Sequence, residues 1–296
     1  MRSLDIRTQT TLTRGPRPHS AVVLFASTAM LIVALLGTGC SPSATPAQAS
    51  TCDHHVASDA KDSLVQFSLL AALASGDYEN GTSLRDVLAS GDFGIGTFSR
   101  LDGEMIVLSG QMYQALGDGT IRLANLNGCT PFAAVTFFEE DGQFEHLAAA
   151  TLDDLDTQLD RKLPRRNSPY ALRIDGEFAQ LTLRSVPAQS PPFQPLVSVV
   201  KHQSTWAHQK VRGTLVGFRC PSWVGTLNVP GYHWHFLSDD RKLGGHVLAC
   251  EFGDGTLRFD ECTSLLIHLP QSTEFDAFNN DSVKHQDINQ IERERK

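Results

Sequence analysis

Leu101-Asp102-Gly103-Glu104-Met105-Ile106-Val107-Leu108, then Met112-Tyr113-Gln114-Ala115, then Gly117-Asp118-Gly119 and Thr120-Ile121-Arg122-Leu123: this stretch decides the fold class. Its apolar runs are too short for ordinary helices, and Asp-Gly pairs punctuate them. Asp-Gly supplies the left-handed backbone that tight hairpins need, so the segment reads as strands folded back on one another. A third such pair, in Glu140-Asp141-Gly142, extends the pattern.

Upstream of it, residues 61–74 carry apolar side chains at helical spacing and stop at Gly76, which predicts a helix. Thr82 or Ser83 is placed to cap a second short helix through Leu84, Val87 and Leu88. Downstream, residues 148–160 read as a helix, and Tyr170–Phe178 with Gln180–Val186 as a strand pair around Asp175-Gly176. Pro187, Pro191, Pro192 and Pro195 then interrupt the pattern and suggest a boundary. Beyond it, Gly213–Arg219, Gly231–Leu237, Gly245–Phe252 and Thr256–Leu269 read as strands, and Asp281–Lys296 as a polar tail able to form a helix. The expectation is a mixed α/β protein with two domains on mixed, largely antiparallel β-sheets. Residues 59–190 form the N-terminal α/β domain. Residues 191–296 form a metal-binding domain with a small, partly open barrel-like sheet and an active-site tail.

The chain has 296 residues and a formal net charge of −8, with no basic stripe, which argues against a nucleic-acid partner. Its N-terminus reads as an export signal over residues 1–39. Arg2, Arg7, Arg14 and Arg17 precede an uncharged run from Ala21 to Gly39. Leu36-Gly37-Thr38-Gly39-Cys40 resembles a bacterial lipoprotein cleavage site, although an aliphatic residue is missing at position 37. Cys40 is thus a candidate lipid anchor, followed by a small, polar tether over residues 40–58. Plain secretion and a retained membrane anchor are the competing readings. The chain holds six cysteines without a C-x-x-C pair, so no zinc knuckle is indicated, while export would permit one or two disulfides.

The sharpest chemical feature is Tyr232-His233-Trp234-His235-Phe236. On a strand, His233 and His235 share one face and Trp234 takes the other. Ser238 to Gly245 reads as a turn, after which His246 can return beside the pair. Three imidazoles with open coordination positions suit a catalytic Zn²⁺. Packing histidines with an unrelated third are the plainer alternative. A cupin barrel also uses His-x-His, but the glycine spacing before His233 and the acidic residues after it do not follow that pattern.

An ordered set of segments gives a wider resemblance. They are Gly91-Asp92-Phe93-Gly94-Ile95-Gly96-Thr97-Phe98 with Leu101 to Met105; Ile174-Asp175-Gly176 with Leu183-Arg184-Ser185-Val186-Pro187; Lys201-His202-Gln203 with Val211 to Arg219; and Gly231 to Phe236 with Gly244-Gly245-His246. Over about residues 60–296 the chain resembles the alpha-acetolactate decarboxylase family. The resemblance implies zinc ligands at His233, His235 and His246, active-site residues Glu104, Arg184 and Thr97, and a tail glutamate best matched by Glu292, with Glu294 nearby. It also implies two α/β domains, a homodimer, and decarboxylation of acetolactate to acetoin through a metal-stabilised enediolate. A zinc-binding or sensor lipoprotein on the same fold, or a lyase acting on another 2-hydroxy-3-keto acid, remain the rival readings.

Overall fold

The computed structural model describes residues 62–79, 81–279 and 291. The export signal, Cys40, the whole tether, Glu292 and Glu294 lie outside the described residues.

A seven-stranded sheet has the order β14-β1-β8-β3-β4-β5-β6. Its strands are β1 (Ser63–Phe67), β3 (Phe93–Thr97), β4 (Glu104–Leu108), β5 (Gln111–Ala115), β6 (Ile121–Leu123), β8 (Ala133–Thr136) and β14 (Ser264–His268). All neighbours are antiparallel except β1 and β14. The first two Asp-Gly pairs work as expected: Gly103, at φ 92°, leads into β4, and Asp118-Gly119 joins β5 to β6. The third instead opens β9 (Gly142–Ala149), which belongs to another sheet.

That second sheet has the order β10-β11-β12-β13-β9, with β10 (Tyr170–Ser185), β11 (Ser204–Cys220), β12 (Gly231–Ser238) and β13 (Gly244–Glu261). Because β13 also pairs with β10, the four strands β10 to β13 close on themselves. This is the barrel-like sheet, and β9 flanks it. Strands from both sides of the proline run share both sheets: β9 and β10 join the later strands here, and β14 joins β1 there. Cys129–Thr130 (β7) pairs with Thr82–Ser83 (β2) in a short ribbon.

Two local expectations are corrected. Residues 61–74 are not one helix but β1 followed by α1 (Leu70–Ser75), with Ser68 at φ 67° between them. Every residue of β1 is buried, flanked by β8 and β14. A strand covered on both faces shows no alternation and cannot be told from a helix by periodicity. Gly76 does end α1 in a left-handed C-cap. Likewise Tyr170–Ser185 is one strand, not a pair. Gly176 stands level with Gly213 on β11 and Gly255 on β13, so three glycines let the barrel strands bend where Asp-Gly would ordinarily turn.

Apolar layers fix how the elements stack. Ile95, Ile106, Leu108 and Ala134 of the first sheet meet Ala171, Val216, Phe218 and Leu237 of the second. The outer face of the first sheet packs Met105 and Val107 against Leu84 and Val87 of α2 (Leu84–Ala89). Ser83 caps α2 by accepting the Arg85 N–H. Leu152, Leu155 and Leu159 of α3 (Leu152–Lys162) fill the second core with Phe178, Trp234 and Phe236. Truncating such a buried leucine costs about 2–5 kcal/mol. α1 and α4 (Leu196–Val199) supply a further apolar cluster beside the inter-sheet layer, and α5 (Thr273–Ala277) lies near the C-terminus.

Candidate metal centre and active site

The strand register assembles the polar cluster. On β12, Trp234 and Phe236 enter the α3-side core, which sends His233 and His235 toward the inter-sheet layer with Leu237. His246 is the register partner of His235 across β12–β13 and of Arg184 across β10–β13. Three chemically active residues therefore stand abreast on adjacent strands. Across from them, Thr97 pairs with Glu104 at the β3–β4 end. The sheets meet there around a cavity of about 40 Å³. Its polar lining includes Thr97, Glu104, Arg184, His233 and His235.

The histidines fit a metal. Their ligand atoms lie within 4.8 Å of one another, and His233 Nε2 is 3.1 Å from His246 Nδ1. All three residues are buried. His235 Nδ1 donates to the Met105 carbonyl at 2.8 Å, a tautomer that leaves Nε2 as a lone-pair ligand. That Nε2 is buried without a hydrogen-bond partner, and Glu104 Oε2 is 3.6 Å away. A buried acceptor without a hydrogen-bond partner, close to the ligand atoms of two other imidazoles, fits a metal ion. Burial, reinforced by the nearby Arg184 charge, holds His233 down to about 3. Burial and the neighbouring His233 keep His235 well below the ordinary imidazole range. Both are therefore neutral imidazoles at pH 7, the form a metal would bind.

Arg184 Nη1 donates to Glu104 Oε1 at 3.2 Å, the two side chains being 5% and 9% exposed. Thr97 has a different task from a free pocket hydroxyl: its Oγ1 donates to the Gly103 carbonyl at 2.8 Å, fixing the residue before Glu104. Sequence reasoning did not single out Met105, whose backbone oxygen orients His235. Nor did it find the apolar side of the cavity, made by Leu70, Leu73, Leu101, Phe132, Val186 and Leu196. These carry no signal beyond ordinary hydrophobicity. The four described cysteines, Cys129, Cys220, Cys250 and Cys262, form no disulfide with one another and stand outside the histidine cluster. Desolvation pushes Cys220 up to about 12.

The sequence profile of alpha-acetolactate decarboxylase matches residues 64–281. The chain belongs to the alpha-acetolactate decarboxylase family. An alpha-acetolactate decarboxylase of Klebsiella aerogenes is 42% identical over 236 residues, covering 79% of this chain and 91% of the relative. One from Methanosarcina mazei is 42% identical over 220 residues, covering 74% and 76%. The crystal structure of the Bacillus subtilis strain 168 alpha-acetolactate decarboxylase is 35% identical with a TM-score of 0.76, covering 78% of this chain and all of that one. Membership in the alpha-acetolactate decarboxylase family replaces the cupin reading. The profile stops at residue 281, ahead of Glu292 and Glu294. The one described tail residue, Ile291, is buried among Leu70, Leu101, Phe132, Val186 and Leu196, the same side chains that form the cavity's apolar side.

Proposed function

We propose that this protein is a zinc-dependent acetolactate decarboxylase that converts 2-acetolactate to acetoin and CO₂. The observation that carries the reading is a buried His233–His235–His246 cluster, two of whose members line one small cavity together with the Arg184–Glu104 pair. Metal storage needs the histidines and has no use for the buried arginine. His233, His235 and His246 would hold the zinc, which when bound supplies Lewis-acid stabilisation of negative charge developing on the substrate.

The chain's own residues account for the rest. Arg184 binds the carboxylate through its planar fork and orients the bond to be broken. Loss of CO₂ leaves an electron pair that passes to the neighbouring carbonyl, giving an enediolate. A carboxyl group, Glu104 or Glu292, returns a proton to carbon to complete acetoin. The apolar side of the cavity excludes water from this exchange. We further propose that residues 1–39 direct export, that Cys40 is lipidated, and that the protein works as a homodimer, as the export pattern and the family resemblance suggest.

Purified protein should form acetoin from acetolactate, lose activity to a chelator and regain it with zinc. The His235→Ala variant should lose its metal. A zinc-loaded protein that forms no acetoin would identify a binding module and end the enzymatic reading.

A further inference from the structure

We infer that Leu101 is the residue that sets the size of alkyl group the cavity accepts; this rests on the reading above. Arg100 and Leu101 both have left-handed backbones, at φ 63° and 58°, although neither is glycine. Such a conformation is disfavoured for an L-amino acid and persists only where the surroundings impose it. They do so here on every side. The Arg100 N–H donates to Tyr78 O at 2.7 Å, and the Arg100 carbonyl accepts from Gln189 N at 2.7 Å. The Leu101 N–H donates to Phe98 O at 2.9 Å, and its carbonyl accepts from Gly103 N at 2.7 Å. Gly103 N also reaches Val186 O at 3.2 Å, tying the loop to the end of β10 two residues beyond Arg184.

The outcome of this imposed geometry is a leucine 3% exposed, on the short loop between Thr97 and Glu104, lining the cavity. The other apolar lining residues among Leu70, Leu73, Phe132, Val186 and Leu196 carry no positive φ. Only Leu101 is held in place against its own backbone preference.

The substrate's chemistry says what it meets. The carbinol carbon of acetolactate bears a carboxylate, a hydroxyl, an acyl group and one alkyl group. The carboxylate, the hydroxyl and the acyl carbonyl have partners on the polar side. The alkyl group, like the acyl methyl, has the apolar side alone. The cavity is small, about 40 Å³, so one added methylene is felt there. A methylene in a hydrophobic pocket changes discrimination by roughly 10–200-fold.

The test compares acetolactate with its ethyl homologue, acetohydroxybutyrate, on the metal-loaded full chain. Leu101→Ala should raise the kcat/KM ratio of ethyl over methyl substrate about tenfold, and Leu101→Phe should lower it. Leu101→Gly relieves the left-handed strain and supplies a small variant should Ala fail to fold. Binding gives a second readout: the same two compounds with the ketone reduced to an alcohol cannot lose CO₂, and their thermal-shift affinities should move in parallel. A purely structural role would lower both substrates together. Ratios within twofold of the native protein in folded variants overturn the assignment. If the native protein turns over neither compound, the functional reading itself fails and this one with it.

Discussion

Arg184 and Glu104 form a buried ion pair at 3.2 Å, reaching from a barrel strand to the start of β4 in the facing sheet, beside the three buried histidines. Leaving either charge alone in such a place is costly, commonly 3–5 kcal/mol, because the remaining charge loses both water and partner. The pair thus holds a cation ready for an anionic group without a large rearrangement. Arg184→Lys keeps the charge and loses the fork, whereas Arg184→Gln loses both. Both variants should retain zinc, with turnover falling and Gln worse than Lys. The loss in Gln should approach 10²–10³-fold, about 2–4 kcal/mol. Acetoin kinetics with metal analysis on the same samples check this. Near-normal turnover in Gln removes Arg184 from the mechanism, and joint loss of zinc and activity makes its role structural.

Ile291 supplies a prediction about the tail. Its side chain is 3% exposed and packs into the cluster that lines the cavity. Ile291 immediately precedes Glu292, the tail glutamate that the family resemblance implies for the site, so its packing bears on that role. Glu292→Gln should lower kcat, and Ile291→Ala should lower it too, with Ile291→Val restoring most of the loss. The double variant should lose little more than Glu292→Gln alone, because both act through one group. Fully additive losses in the cycle would separate Ile291 from Glu292 and leave it a packing residue.

The residues show where sequence reading succeeds. His233 and His235 were legible because alternation on a strand places them together whatever the rest of the fold does. His246 was legible because only a turn separates it from them. Arg184 and Glu104 were different: each alone reads as a strand charge, and only the ordered resemblance joined them. The pairing that brings Arg184 level with His246 spans β10 to β13, and no local pattern encodes such long-range register. The helix expected over residues 61–74 failed because β1 is covered on both faces. Leu101 was invisible for another reason, since a left-handed leucine is imposed by hydrogen bonds from distant segments.

Asp260 supplies a pH prediction away from the site. It is 1% exposed; Oδ2 accepts from Glu139 N at 3.2 Å, and Oδ1 is buried without a hydrogen-bond partner. Desolvation first, then the negative charges of Asp141, Asp62 and Glu139, raise its carboxyl from 3.8 to about 7. The folded state therefore keeps a proton that the unfolded chain releases near pH 4. Stability falls as pH rises from about 4 to 7, and the full penalty, on the order of a few kcal/mol, applies above that. Asp260→Asn should raise Tm by several degrees at pH 8 and leave it nearly unchanged at pH 4. Thermal melts at the two pH values decide it. An equal shift at both, or a lower Tm at pH 8, would sink the assignment of this penalty to Asp260.

Gly217 tests whether the backbone beneath the histidines must be bare. It is the register partner of Trp234, between the two candidate ligands, and a Cβ there would sit 2.5 Å from the Trp234 ring and against the His233 carbonyl. Its own backbone is not left-handed, so the need for glycine is one of space rather than conformation. Neither obstacle moves freely: the carbonyl belongs to the ladder, and Trp234 is locked in the α3-side core. Gly217→Ala should therefore push β12 outward as overpacking, destabilising the protein by about 1–3 kcal/mol. Because His233 and His235 ride on the displaced strand, zinc affinity should weaken roughly 10–100-fold, as loss of ligand support does at metal sites. Adding Trp234→Leu should recover part of both losses by clearing the ring. Competition titration with a zinc chelator, read beside Tm, measures the two effects. Unchanged zinc affinity in a destabilised Gly217→Ala protein would show that the histidine geometry is held from the cavity side, through Met105 and Glu104, and not by the strand behind it.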